Sequence, residues 1–296
     1  MISLLAKVQR KMTITAHRRV RHALEGQYSS IFKGPGLDFD DLRVYVQGDD
    51  IKDIDWRATA RTGQILIRRY IAVRKYNILL VVDTGRSMAA TAPSGENKRD
   101  LAIMTAGVIA TVAQKHEDLV GLIAGNSVRI NRLPMHGSPA HIERILQCIN
   151  NETTLEGPTS DLDKLLDYVK RTIRRRMLLV VISDRLHFAD ADEQLLRRLR
   201  AQHEILFIAM EDLDPSNHAW QLRSLHDVNQ SAVRLPTFVR SQPAVGAAYQ
   251  AHIVELTKQS DQLLKHLGIS SVRVASEDEV ITKIATLLEK QKHGHR

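Results

Sequence analysis

The chain has 296 residues, 43% hydrophobic and 26% charged, with a formal net charge of +8. That balance excludes wholesale disorder, which needs low hydrophobicity joined to high net charge, and the length allows one large domain or two small ones. A single cysteine, Cys148, excludes an internal disulfide and a multi-cysteine metal site and points to a reducing, cytoplasmic compartment.

The first 24 residues carry six basic side chains, Lys7, Arg10, Lys11, Arg18, Arg19 and Arg21, and no acid. Charged and apolar residues are mixed, without the apolar run of about seven or more that a secretory signal needs. The segment reads as a solvated or partner-docking helix, and its charge suits nucleic acid, an anionic membrane or an acidic protein surface alike. Residues 1–76 hold 15 Lys and Arg against 8 Asp and Glu, whereas residues 77–296 hold 27 against 26. The basic excess therefore lies in an N-terminal extension, 1–76. Its later part is rich in Gly, Asp and Arg, with Phe39, Tyr45, Trp56 and Tyr70 spread through it. Gln64–Tyr70 alternates like a strand, and the rest reads as loop and short β structure. Asp49, Asp50, Asp53 and Asp55 interleave with Lys52, Arg57 and Arg61, a pattern of structural ion pairs.

From Asn77 onward, apolar runs alternate with helical patterns. Ile78–Val82, Val120–Ala124, Met177–Ile182, Ile205–Ala209 and Ser271–Val274 are predicted strands. Between them, Leu101, Met104, Val108, Ile109 and Val112 share a helical spacing, as do Ile142, Ile145, Leu146 and Ile149, and Leu162, Leu165, Leu166, Val169 and Ile173. Ser138 before Pro139 is a helix start, and Ser276 with Glu279 forms a capping box before a C-terminal helix over 276–290. The longest apolar stretches, Leu101–Ala113 and Met177–Ile182, fall short of the about 18–20 residues a membrane span requires. Residues 211–245, broken by Pro215, Pro236 and Pro243, read as an irregular insertion. Strand–helix alternation predicts an α/β domain over 77–296 with a mostly parallel sheet and helices on both faces. Only Gly125-Asn126-Ser127 separates Val120–Ala124 from Val128–Leu133, too short for a crossover, so that pair is predicted to be an antiparallel hairpin at one edge.

Ligands of open α/β sheets bind beyond the carboxyl ends of strands. Asp83 directly follows one apolar run and Asp184 lies just past another, with Thr84, Ser87, Thr159 and Ser160 supplying hydroxyls nearby. Such oxygens suit a hard divalent cation. Spacing alone favours a plainer use, with the carboxylates bonding backbone amides and Thr159 or Ser160 capping a helix. Other motifs are weak. Gly34-Pro35-Gly36 lacks the ending of a phosphate loop, and the histidines show no metal-ligand spacing. His203 reads as a structural contact, and Ser87 has no nucleophile-elbow context.

Asp83-Thr84-Gly85-Arg86-Ser87-Met88 after a Val-Val strand resembles the Asp-x-Ser-x-Ser motif of von Willebrand factor A domains. The threonine of that family's metal-ion-dependent adhesion site matches Thr159 in Gly157-Pro158-Thr159, and its second aspartate matches Asp184. The resemblance implies Mg2+ or another divalent cation held by Asp83, Ser87, Thr159 and Asp184, with one position left for an acidic side chain of a partner. Gly85 stands where the first serine of the motif is expected, so that ligand is missing. Returning a serine to position 85 is expected to raise cation affinity, provided Gly85 needs no positive φ. Upstream, Gly34-Pro35-Gly36-Leu37-Asp38-Phe39, the stretch Gly48–Trp56 that includes Asp49 and Asp55, and Ala60-Arg61-Thr62-Gly63 resemble the bacterial domain of unknown function 58 family. Ala201–Leu206 and Asp214-Pro215 extend that resemblance to about residues 25–275. It implies a non-enzymatic adaptor that works with a MoxR-type AAA+ ATPase in assembling or maturing other proteins. Two alternatives remain at this stage: a nucleic-acid or membrane-surface module resting on the basic N-terminus, and a metal-dependent hydrolase built on the two aspartates.

Overall fold

The computed structural model describes residues 3–15, 28, 38–71, 77–185, 188, 190–215, 225–229 and 242–294. Helix α1 (Leu4–Thr15) comes first, followed by a two-stranded antiparallel unit of β1 (Asp38–Val44) and β2 (Leu66–Ile71). The strands are joined through a 3-10 turn (Ile51–Asp53) and α2 (Trp56–Thr62). Three of the aspartates there organise the local backbone. Asp49 accepts from the Val46 amide at 3.0 Å and pairs with Arg43 at 2.6 Å. Asp50 accepts from the Lys52 amide, and Asp55 caps α2 by accepting from the Arg57 and Ala58 amides. Ile54 bridges to Ile67, and both side chains are buried.

The remaining strands form one six-stranded sheet: β3 (Asn77–Asp83), β4 (Leu119–Gly125), β5 (Ile130–His136), β6 (Leu178–Ser183), β7 (Glu204–Met210) and β8 (Ser270–Val274). Their spatial order is β5-β4-β3-β6-β7-β8, parallel throughout except for β5 at the edge. The predicted strands are all present, within a residue or two at their ends except for β5, which is shifted from Val128–Leu133 to Ile130–His136. β5 starts later than expected because Asn126 accepts from the Val128 and Arg129 amides and holds both in the turn.

The apolar runs are continuous because both faces of the sheet are covered. Ile78, Leu80 and Val82 of β3 face α3 (Lys98–Lys115), α4 (Pro139–Glu152) and α8 (Val280–Gly294), whereas Leu79 and Val81 face α5 (Leu162–Thr172), α6 (Asp190–Gln202) and α7 (Pro243–His266). Starts follow the expected signals. The Ser138 side chain accepts from the His141 amide ahead of α4, and Glu279 reaches back to the Ala275 and Ser276 amides ahead of α8. Pro243, expected in the irregular insertion, is the first residue of α7, where a missing amide hydrogen costs nothing. No helix among the described residues is long and apolar enough to cross a membrane.

The basic N-terminus departs from expectation. Leu5, Val8 and Met12 lie on one stripe of α1 and are buried in the same core as α3 and α4. Gly107 of α3 admits this contact, since a Cβ there would lie 2.6 Å from a Val8 methyl. Glu143 of α4 accepts from the Ser3 hydroxyl at 2.6 Å and from the Leu4 and Leu5 amides at 3.1 and 2.8 Å, satisfying the open end of α1. Lys7 pairs with Glu277 at 2.8 Å and Lys11 with Asp278 at 2.7 Å. Arg18, Arg19 and Arg21 lie outside the described residues.

Candidate functional site

From β3 the chain runs to β4 on one side and returns to β6 on the other, so the switch in strand order falls between β3 and β6. Asp83 ends β3 and Asp184 follows β6, which puts both at the crevice where such sheets bind ligands. A cavity of about 1270 Å³ opens there, with Asp83, Ser87, Lys98, Ser160, Asp184 and Asp212 in its lining.

Asp83 is 1% exposed. Its carboxyl accepts from the Gly85 amide at 2.9 Å and from the Ser183 hydroxyl at 3.2 Å, with the Ser160 hydroxyl close by. Burial, then the neighbouring Asp184 charge, push this carboxyl up to about 6 against the pull of Gly85, Ser160 and Ser183. Ser87, in a 3-10 turn (Arg86–Ala89), shares a hydrogen bond of 2.7 Å with Ser160.

The Gly157–Ser160 loop is strapped from two sides. The Arg86 amide donates to the Pro158 carbonyl and the Arg86 side chain to the Gly157 carbonyl, both at 2.8 Å, while the Ser127 amide donates to the Thr159 carbonyl at 2.9 Å. This geometry turns the exposed Thr159 hydroxyl away, where it donates to Ser127 at 3.0 Å, and points Ser160 at Asp83 and Ser87. The structure thus brings Asp83, Ser87 and Asp184 to one crevice and leaves Thr159 outside it. Asp161, and neither Thr159 nor Ser160, caps α5.

Gly85 has an ordinary extended backbone, φ −68° and ψ 164°. Its reason is space: a Cβ would lie 2.2 Å from the Ser160 hydroxyl and 2.3 Å from the Ser160 Cα and amide nitrogen. A serine at 85 collides with backbone before it reaches any ion, which reverses the expectation from sequence.

The charged group that sequence reading missed is Lys98, the first residue of α3 and fully buried. Its ammonium donates to Asp184 Oδ2 at 2.7 Å and to Asp212 Oδ1. Burial pulls its pKa down, but Asp184 and Asp212 outweigh burial and hold it above the usual lysine value. A sequence signal existed for both partners. Asp212 follows β7 as Asp184 follows β6, and Lys98 is a charge at the head of a helix that is buried on all sides from Leu101 to Ala113. At the rim, Arg185 pairs with Asp163 at 2.5 Å and Asp192 at 2.7 Å. His203 is buried just ahead of β7, at the edge of the sheet opposite the crevice.

This donor set does not fit a hard divalent ion. Asp184 is committed to an ammonium, position 85 supplies no hydroxyl, and Ser87 and Ser160 bond each other. No group of three or more His, Cys, Asp or Glu among the described residues is arranged to hold a metal.

The family described as Protein of unknown function DUF58 matches residues 41–252. The chain belongs to the DUF58 family. Uncharacterized protein Rv1480 of Mycobacterium tuberculosis and Uncharacterized protein Mb1516 of Mycobacterium bovis are each 32% identical to it over 212 residues, 71% of this chain and 66% of the relative. The matched stretch is thus a little under two thirds of the relatives' length. Among solved structures, the chain is similar to an aerotolerance-related membrane protein from Bacteroides fragilis, with TM-score 0.43, 13% identity, and 73% of this chain and 99% of that one covered. It is similar also to a von Willebrand factor type A protein from Catenulispora acidiphila, with TM-score 0.40, 9% identity, and 75% and 44% covered. Within this DUF58 chain, the signature residues divide by role. Asp49 and Asp55 hold the backbone of the β1–β2 unit, whereas Trp56 is 64% exposed and Arg61 is also exposed.

Proposed function

We propose that this protein is a non-enzymatic interaction module whose crevice between β3 and β6 receives a segment of a partner protein, and that the partner is a MoxR-type AAA+ ATPase acting on assembly or maturation of other proteins. The observation that carries the reading is a large open crevice whose polar groups are already engaged with one another. Ser87 bonds Ser160, Asp83 accepts from the Gly85 amide and the Ser183 hydroxyl, and Lys98 is shared by two aspartates. A hydrolytic site needs a nucleophile within reach of a free base or a water-activating metal, and the described residues of this crevice offer neither arrangement. Preformed polar walls suit recognition instead. The ATPase comes from the family resemblance, and a cytoplasmic location follows from it together with the single cysteine.

The test uses the full chain and a purified MoxR-type ATPase from the same genome, with binding followed by interferometry. Binding is expected, and Ser87→Arg, which fills the crevice from a half-buried turn position, is expected to weaken it at least about tenfold, or 1.4 kcal/mol, while thermal unfolding stays cooperative. No binding in any nucleotide state removes the ATPase assignment. Undiminished binding by Ser87→Arg removes the crevice as the docking place.

A further inference from the structure

We propose that Lys98 is the resident cation of this crevice: its ammonium ties Asp184 to Asp212 at the carboxyl edge of the sheet, and the site operates without a divalent ion. The von Willebrand A resemblance implies a metal here, and the geometry disagrees with it. Lys98 Nζ lies 2.7 Å from Asp184 Oδ2 and bonds Asp212 Oδ1, so it engages Asp184, the second aspartate of the implied ligand set, and ties it to a carboxylate outside that set. A second, divalent charge beside a buried ammonium is repelled.

Lysine is an improbable choice at this position unless its charge is the point. It opens a helix, where the aligned peptide dipoles disfavour a cation. It is fully buried, where an unpaired ammonium is costly. One turn later α3 is buried on all sides, from Leu101 to Ala113, so an apolar residue would suit the local environment better. Only the two aspartates offset these penalties. The Lys98 amide also donates to the Ala90 carbonyl, so the same residue fixes the chain that follows the Asp83 loop. Lys98 thereby joins the ends of β3, β6 and β7, the three elements that frame the crevice. Asp212 keeps 45% of its side-chain surface open, so the bridged pair still presents carboxylate to an incoming ligand.

Removal of the lysine should therefore expose a vacant anionic site that a metal can fill. Thermal unfolding and calorimetric titration of the full chain with Mg2+ and Mn2+ test this. The wild-type protein is expected to melt at the same temperature in chelator and in millimolar metal, with no saturable heat. Lys98→Met is expected to melt lower in chelator and to regain about 5–10 °C when Mn2+ stands about 100-fold above its Kd. Lys98→Arg, which keeps a cation, is expected to ignore metal as the wild type does. Saturable wild-type binding that Asp83→Asn abolishes overturns the proposal, because lysine and metal would then coexist. A folded Lys98→Met that responds to no divalent ion overturns it as well. Should Lys98→Met not fold, Lys98→Met/Asp212→Asn removes one charge of each sign, and its Mn2+ binding, read by electron paramagnetic resonance, decides: binding supports the proposal, and none overturns it.

Discussion

Gly85 and Lys98 show how one position can change the meaning of a motif. Sequence spacing makes Gly85 a missing ligand, but in the fold it is the clearance that lets the Gly157–Ser160 loop close on Asp83, with Ser160 supplying the hydroxyl from another part of the chain. Gly85→Ala and Gly85→Ser are each expected to cost about 1–3 kcal/mol, the range for forcing atoms into a filled site. Urea unfolding should show a lower midpoint for both, and neither should gain cation affinity. A serine variant that is as stable as wild type and binds Mg2+ would mean that the loop can withdraw.

At the level of elements, α1 carries the largest revision. Its charge suggested a solvated or partner-docking helix, yet Leu5, Val8 and Met12 are buried in the core, with Val8 against Gly107. At ~1.5–3 kcal/mol for each fully buried side chain, taken as an upper bound, removing residues 1–15 is expected to lower the melting temperature markedly and to raise binding of an apolar dye. An unchanged transition would mean that α1 contributes nothing to the stability of the core. The docking of α1 also depends on pH. Partial burial pushes the Glu143 carboxyl up, but hydrogen bonds from Ser3, Gln147, Leu5 and Leu4 outweigh that and hold it down at about 2, against 4.5 for a free glutamate. A carboxyl depressed in the folded state contributes stability above the unfolded value and loses it as pH falls toward the folded one. Amide exchange in α1 is therefore expected to accelerate between about pH 4.5 and 2 relative to the α3 amides, and Glu143→Gln should flatten that difference.

Across the whole molecule, the net charge of +8 overstates the basic surface that α1 offers to a polyanion. Lys7 and Lys11 face Glu277 and Asp278, so part of the N-terminal excess is spent inside the protein. Affinity for duplex DNA is expected to lie in the non-specific range, to collapse between about 50 and 200 mM salt, and to be insensitive to Lys7→Gln/Lys11→Gln. A double variant that loses most of its DNA binding would show those lysines free to reach phosphate. The same variant should lose less than about 1 kcal/mol of stability, as befits half-exposed pairs.

The amino-acid sequence by itself determined the architecture. Apolar runs of strand length alternating with helical stripes require a parallel sheet covered twice, and the short Gly125-Asn126-Ser127 link requires an antiparallel edge. It also placed Asp83 and Asp184 at the ends of apolar runs, and the strand order of the fold then set those two ends side by side. Local caps at Ser138 and Glu279 were readable for the same reason, since partners a few residues apart meet through backbone geometry alone. Tertiary structure decided what the site is made of. Which of two adjacent residues, Thr159 or Ser160, turns inward depends on straps from Arg86 and Ser127, 71 and 32 residues away along the chain. The union of Lys98 with Asp184 and Asp212 joins residues 86 and 114 positions apart, which no periodicity encodes. Periodicity assigns a residue to a face; only the packed chain brings a buried charge to the distant partners that keep it there.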